Sequence, residues 1–368
     1  MKKKILTIVG TRPNFIKVSQ FRKCFGKYEN EFELKMLHTG QHYDRKMADV
    51  FFEQLGFQEM DYALNIQPNS PAHQMGEMII KLDDIFKQWK PDLVIVVGDV
   101  NSTLAAAISA NKNDIHLAHI ESGLRSFDKS MPEEHNRILT DAITDYFFIT
   151  EKTGKENLIN EWKDERKLFM VGNTMIDTLV AFDSILDKSK ILEELNIINE
   201  QYILMTIHRP SNVDVKDQLI KLFELAESLT KKYHIVFPIH PRTRNNIKKF
   251  GLEDRLNLLS KWILTEPLDY FAFQKLIKHC KLVLTDSGGI QEETTFRRVP
   301  CLTLRENTER PITVELGTNT LVPFDNNLIS NYITEIEKGT YKKGIVPDLW
   351  DGKSTERIVE RLREIFNQ

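Results

Sequence analysis

Three carboxylates, a histidine and a glycine pair are the residues best placed by type and spacing to do chemistry. Asp99 follows the apolar run 93–97, Glu121 follows the run 117–120, and Glu133 lies one loop further on, ahead of Glu134. Crowded carboxylates do not all ionise together, which suits general acid–base work. The plainer alternative is a set of helix caps, with Asp99 ahead of Asn101 and Glu133 in the turn before His135. His208 follows the run 202–206 and reads three ways: general acid, phosphate ligand or satisfied core histidine. In the second half, the run 282–285 leads into Asp286-Ser287-Gly288-Gly289 and then Glu292 and Glu293. Glycines admit close backbone approach, and a helix N-terminus offers N–H groups and a positive dipole end. An anionic group, most simply a phosphate, is held there without a metal, and Glu293 can accept from sugar hydroxyls. The alternative is an ordinary strand-to-helix turn capped by Ser287. Arg12 and Lys17 open the first helix, where cations oppose the dipole unless an anion offsets them.

The elements that must position these residues alternate regularly. The mainly apolar stretches at 5–9, 93–97, 117–120, 146–149 and 168–170 read as strands, as does 32–38. Helical spacing or composition follows each, notably over 72–89, in an Ala-rich stretch after 103, over 134–142 and over 174–186; a helix is also expected at 45–55. A polar stretch at 187–200 reads as a linker, after which the alternation restarts with strands at 202–206, 235–238, 282–285 and 300–304. A last amphipathic helix at 355–366 carries Ile358, Leu362, Ile365 and Phe366 on one face. Strands apolar on both faces and separated by helices mean parallel sheets covered by helices. The expected fold class is therefore α/β, with two Rossmann-like doubly wound domains at 1–186 and 187–354 and a separate terminal helix at 355–368. Such domains bind ligands beyond the carboxyl ends of their strands, here in the cleft between them.

The bulk numbers set the limits. At 368 residues the chain exceeds a usual single core. Fifty basic and 53 acidic residues leave a net charge of −3, which gives no reason to expect nucleic acid or an anionic membrane as partner. Cys24, Cys280 and Cys301 have neither metal nor disulfide spacing, which points to the cytosol. The apolar run after Met1-Lys2-Lys3-Lys4 stops at Gly10, too short for a signal peptide or a membrane span. His234 and His240 stand six apart, which is not metal-ligand spacing, so no metal is expected. No dinucleotide fingerprint follows the first strand, so no nicotinamide cofactor is expected, and there is no serine nucleophile elbow.

The runs GTRPNFIK (10–17), TGQH (39–42), GDVNST (98–103), IESGLRS (120–126), PEEHNR (132–137), VGNTMID (171–177), TIHR (206–209), EPLDY (266–270), DSGGIQEE (286–293) and RENTERP (305–311) occur in this order. Together they make the chain similar to the non-hydrolysing UDP-N-acetylglucosamine 2-epimerases over nearly its whole length. The resemblance implies the GT-B arrangement of two domains, with the last helix crossing back to the first, and a cytoplasmic homodimer. It implies a UDP-sugar substrate, elimination of UDP to a glycal and re-addition for surface-polysaccharide precursor synthesis, and no cofactor. It gives Asp99, Glu121, Glu133 and His208 as catalytic residues, and Arg12, Ser287, Gly288 and Gly289 as holding the diphosphate, with Lys17 close by. It gives Glu293 the ribose hydroxyls and the segment around Phe273 the uracil, and leaves Gln41 and His42 as loop or second-site residues. Asn14 stands where many members have Glu, and Val100 where they have Thr. Gln67 follows Leu64-Asn65-Ile66 where members activated by a second substrate molecule carry Arg. HTGQHYD (38–44) and SMPEEHNRILTD (130–141) also resemble the branch acting on UDP-2,3-diacetamido-2,3-dideoxyglucuronate. A hydrolysing epimerase and a GT-B glycosyltransferase share the nucleotide clamp.

Overall fold

The computed structural model describes residues 1–40, 55–57, 59–197, 201–256 and 261–367. Its contacts divide the chain into two units, Met1–Ala181 with Asp348–Gln368, and Phe182–Pro347. The first division falls inside the helix Thr174–Leu186 rather than at its end.

The first unit is built on a parallel sheet of seven described strands. They are β1 (Lys3–Val9), β2 (Phe32–His38), β3 (Tyr62–Ala63), β4 (Leu93–Val97), β5 (His116–Ile120), β6 (Tyr146–Ile149) and β7 (Leu168–Met170), in the spatial order 3-2-1-4-5-6-7. All five residues of β4 are buried, as a central strand covered on both faces requires. Leu6, Ile8, Val94 and Val96 pack with Met78, Leu82 and Phe86 of the helix Pro71–Trp89 and with Ala105, Ala106, Ala107 and Ala110 of the helix Asn101–Lys112. Burying a side chain such as Leu82 or Phe86 contributes about 1.5–3 kcal/mol. The direction of strand order reverses between β1 and β4. Ile8 pairs with Val96, so the chain leaves both strands at nearly the same level, at Gly10 and Gly98.

The terminal helix Ser354–Phe366 belongs to this unit. Asp177 accepts the backbone N–H groups of Ser354 and Thr355 at 3.0 and 2.6 Å and so anchors the helix start. Ile358, Val359 and Leu362 are buried. Lys27 pairs with Glu356, Glu31 with Arg363, and the ring of Phe366 lies 6.3 Å from that of Phe32.

The second unit repeats the pattern with six described parallel strands, β8 (Tyr202–Thr206), β9 (His234–Pro238), β10 (Trp262–Thr265), β11 (Leu282–Thr285), β12 (Cys301–Thr303) and β13 (Asn319–Leu321), in the order 10-9-8-11-12-13. Its reversal lies between β8 and β11, where Thr206 pairs with Thr285. In each unit the point of reversal is where a doubly wound sheet opens a crevice for ligands.

Two expectations change. The stretch 187–200 is not merely a linker: Ile191, Leu192 and Ile197 are buried in the core of the second unit with Tyr202 and Leu276, an apolar set hidden among charged neighbours. The short strands β3, β10 and β13 and several one-turn helices have no counterpart in the sequence pattern. The expected helix at 45–55 lies outside the described residues except for Leu55. Among the described residues no helix is long and apolar enough to cross a membrane, and no cluster of His, Cys, Asp and Glu has the makings of a metal site.

Candidate active site

Beyond β4 the chain turns through Gly98 at φ +69°. A Cβ on this residue would stand 3.4 Å from Lys17 Nζ and 3.6 Å from Glu121 Oε2. Glycine thus combines a left-handed turn with the close approach of two charged groups. Lys17 and Glu121 pair at 2.6 Å, with side chains only 6% and 2% exposed. Lys17 is brought there by the helix Arg12–Val18, whose start is fixed by Asn14. The Asn14 Oδ1 accepts from the backbone N–H of Gly10 and Thr11 at 3.2 and 3.1 Å, and its Nδ2 donates to the Val97 carbonyl at 3.1 Å. An amide does both; an ionised carboxylate cannot donate. Glu121 itself sits at φ +68°, a conformation that costs a side-chain-bearing residue about 1–2 kcal/mol.

Asp99 is the next residue after Gly98. Its side chain is 24% exposed and pairs with Arg137 Nη2, while Arg137 Nη1 binds Glu134 Oε2 at 2.8 Å. Arg137, Glu134 and Glu133 all come from the helix Pro132–Ala142, with both glutamates in its first turn. They differ in role. Glu134 is buried and accepts from Ser126 N–H, Ser126 O–H and Phe127 N–H at 2.9, 2.9 and 3.0 Å, which ties down the loop before the helix. Glu133 is half-buried. Asp99 is not the cap of the helix Asn101–Lys112; Val100 occupies that position. Glu121 faces Lys17, and Arg137 is shared between Asp99 and Glu134. Arg12 is exposed at the start of its own helix, which has no acid in its first turn. Gln41 and His42 lie outside the described residues.

In the second unit Asp286 follows β11 and is fully buried. It accepts from the backbone N–H of His208 and Arg209 at 2.9 and 2.8 Å and from Asn212 Nδ2 at 3.0 Å, and its Oδ1 lies 3.0 Å from His208 Nδ1. Burial pushes the Asp286 carboxyl up, but the His208 hydrogen bond and charge, the Arg209 N–H and the Asn212 amide outweigh it and hold it below the usual range. The His208 side chain is 37% exposed, so it is not a core histidine. Its ring centroid lies 5.2 Å from that of His240, which burial and then His208 push below the ordinary histidine range.

Ser287 occupies the N-cap of the helix Gly288–Arg297, yet its side chain makes no capping hydrogen bond. Ser287 therefore stands at the cap position without making the ordinary Ser cap. A Cβ on Gly288 would fall 2.5 Å from Glu309 Oε1 and 3.2 Å from Arg310 Nη1. Arg310 is buried, with Nε 2.8 Å from Glu292 Oε1, and Arg305 Nη2 binds Glu309 Oε2 at 2.9 Å. Burial lowers the Arg305 pKa; Glu309 opposes this, and the neighbouring Arg209 and Arg310 add to it. Glu309 and Glu292 pair with Arg305 and Arg310 beside this helix start. Gln291 Oε1 accepts from Thr308 O–H at 2.8 Å and Asn319 Nδ2 at 2.9 Å, fixing the loop that carries Arg310 to the helix. Glu293 is buried one turn further along. Phe273 is half-buried in the helix Tyr270–His279, packed on the core of this unit.

Both arrangements sit at the reversal points of their sheets, one of carboxylates with Lys17 and Arg137, the other of Arg305 and Arg310 with Glu309 and Glu292. The family model described as UDP-N-acetylglucosamine 2-epimerase matches residues 26–363. The chain belongs to the UDP-N-acetylglucosamine 2-epimerase family. It is 42% identical to a UDP-N-acetylglucosamine 2-epimerase of Methanocaldococcus jannaschii over 98% of both chains. It is 37% identical to a UDP-2,3-diacetamido-2,3-dideoxy-D-glucuronate 2-epimerase of Pseudomonas aeruginosa, over 98% of this chain and all of that one. A crystal structure of the M. jannaschii UDP-GlcNAc 2-epimerase in complex with UDP-GlcNAc and UDP superposes with a TM-score of 0.88 at 40% identity, covering 98% of this chain and 99% of that one. The α/β fold of this family, with two Rossmann-like GT-B domains, is the one seen here.

The site contains more of this family member than the catalytic positions taken from its motifs. Arg137 lies inside the run that supplied Glu133, and Arg310 inside RENTERP, but sequence alone did not show that they reach Asp99 and Gly288. Mixed polar and apolar neighbours gave no sign in the sequence that either arginine is buried.

Proposed function

We propose that this chain is a non-hydrolysing 2-epimerase that interconverts UDP-N-acetylglucosamine and UDP-N-acetylmannosamine. A carboxylate removes the C2 proton, the C–H electron pair becomes the C1–C2 double bond, and the C1–oxygen pair leaves with UDP. A glycal and UDP result. Proton return to the opposite face of C2, with the UDP oxygen re-adding at C1, gives the epimer. Asp99, Glu121 and Glu133 share proton transfer and charge stabilisation. His208, held at Nδ1 by Asp286, presents Nε2 to the leaving diphosphate. Ser287, Gly288 and Gly289 hold the diphosphate with Arg12, joined by Arg310, while Lys17 neutralises Glu121 from within the fold. Glu293 takes the ribose hydroxyls and Phe273 lies against the uracil. The observation that carries this reading is the set of paired acids around the Gly98 turn in a member of this family. A cytoplasmic homodimer feeding surface-polysaccharide synthesis is the setting we infer for it.

The test is incubation with UDP-N-acetylglucosamine in deuterated water, with no acceptor or cofactor, followed by NMR. The expected product is UDP-N-acetylmannosamine with deuterium at C2. Free sugar and UDP would make the chain a hydrolysing enzyme, and an unlabelled, unchanged substrate would sink the reading. Asp99→Asn should reduce exchange to a small residual rate and leave UDP affinity within about tenfold, roughly 1.4 kcal/mol. The likeness to the P. aeruginosa enzyme supports a second reading, UDP-2,3-diacetamido-2,3-dideoxyglucuronate as substrate. The larger kcat/KM of the two nucleotide sugars decides between them.

A further inference from the structure

Behind the Gly98 turn lies a chain of charged side chains that the mechanism above does not use. His119, near the end of β5, is fully buried. Its Nδ1 lies 2.7 Å from Asp141 Oδ1, and its Nε2 lies 2.8 Å from the carbonyl oxygen of Gly98. A carbonyl oxygen only accepts, so Nε2 carries a hydrogen. Asp141, also fully buried, accepts the Gly123 N–H at 3.0 Å on Oδ2, which lies 2.8 Å from Arg125 Nη1. Burial pushes the Asp141 carboxyl up, but His119, then Arg125 and the Gly123 N–H, outweigh it and hold the group below the usual range. A carboxylate facing Nδ1 makes that nitrogen a donor too, so both ring nitrogens carry hydrogen. Arg125 continues outward to Glu161, with both of its hydrogen bonds at 2.8 Å. Asp141 thus meets the ring on one oxygen and Arg125 on the other, while Glu161, on the far side of Arg125, is 36% exposed.

The ring holds one end of the turn. The Gly98 N–H donates to the Ile120 carbonyl at 3.1 Å, and the Gly98 carbonyl receives His119 Nε2. Both polar groups of Gly98 are thereby bound to β5 or its side chains. Asp99 is covalently next, with its own carbonyl accepting Asn136 Nδ2 at 2.9 Å. Losing the ring would release a left-handed turn that carries one acid and underlies the Lys17–Glu121 pair.

We propose that His119 is a positioning residue for epimerisation, an imidazolium strut between Asp141 and the Gly98 carbonyl that fixes the direction of Asp99. This rests on Asp99 acting in the reaction.

Two measurements test it. First, NMR of protein labelled with 15N-histidine is run on the intact chain at the pH of the assay, with His119 assigned by the signal lost in His119→Gln. Both ring nitrogens are expected to bear hydrogen; one bare nitrogen overturns the strut, whatever the activity of any variant. Second, His119→Gln is expected to lower kcat about 100-fold while KM and UDP affinity stay within about twofold, the pattern of misplaced catalytic geometry. In the Asp99→Asn background the same substitution should add no further loss of residual C2 exchange. Full multiplicative losses, or a kcat left intact, overturn the positioning role. An active Asp99→Asn variant instead removes the premise, and is distinguishable because the ring-nitrogen spectrum is unaffected by it. If His119→Gln does not fold, selective loss of one imidazole signal on conversion to His119→Asn supplies the assignment, and the wild-type spectrum still decides the strut.

Discussion

Replacing Lys17 with Met should cost stability and activity together, and restoring charge balance should separate them. Lys17 and Glu121 pair at 2.6 Å with almost no solvent access. Removing one partner of such a pair costs about 3–5 kcal/mol, because a charge stays in the interior without its counterpart. A folded unit has only about 5–15 kcal/mol in hand, so a substantial part of the first unit's stability is at stake. In a domain of this size that means a fall in Tm of roughly 6–20 °C. Lys17→Met and Glu121→Gln should each show it, Glu121→Gln keeping the side chain's shape at φ +68°. The double variant carries no unmatched charge and should recover at least about 2 kcal/mol relative to the sum of the single losses. Its epimerisation should stay at background, since an acid proposed for the reaction is missing. Urea unfolding followed by circular dichroism gives the stability cycle, and C2 deuteration gives the activity. If Lys17→Met costs under about 1 kcal/mol and the cycle is additive, the pair is not the buried electrostatic unit inferred here.

Three further outcomes follow from other parts of the structure. Ser287→Asp supplies the capping carboxylate that Ser287 does not provide, so the helix should gain about 0.5–1 kcal/mol in Tm measurements while UDP affinity, read by calorimetry, drops at least tenfold through repulsion of the diphosphate. Gly288→Ala places a methyl 2.5 Å from Glu309 Oε1, so Glu309 and Arg310 must shift; UDP binding should weaken by about tenfold or more, and an unchanged affinity would rule out this cradle. Burial pushes the His38 imidazole down to about 4 from 6.5, against a small opposing pull from its Gly10 backbone bond. Between those values the unfolded chain binds a proton that the folded chain does not, so stability falls as pH falls, by up to about 3 kcal/mol. His38→Gln should lose that component, and the gap between wild type and variant should therefore change steadily from about pH 6.5 to 4 in unfolding titrations.

The framework was legible where one strand hides completely. The run 93–97 is apolar at every position and became the fully buried β4, and the residues just beyond it carry the acid site. Short edge strands left no such mark: β13 contributes three residues, Asn319–Leu321, whose pairing with β12 depends on a neighbour distant in sequence. Charge obscured the role of Ile191, Leu192 and Ile197, since their polar neighbours dominate the local average while the three side chains enter the core. For the site, order along the chain revealed the acids but not their partners. Arg137 meets Asp99 across 38 positions, and His119 meets Asp141 across 22, distances in sequence that only the fold closes. The second pairing left only His119 among Leu117, Ala118 and Ile120 as a hint in the sequence.

The return of residues 348–368 to the first unit gives synthesis a particular order. The unit spanning Phe182–Pro347 is continuous and has all its strands before the last helix emerges from the ribosome. The opening half of the chain must wait, with Phe32 and Asp177 lacking the contacts that Ser354–Phe366 brings. The segment made first is thus sealed last, and a chain interrupted shortly before Ser354 would present a finished middle and an unfinished beginning to the cell's quality control.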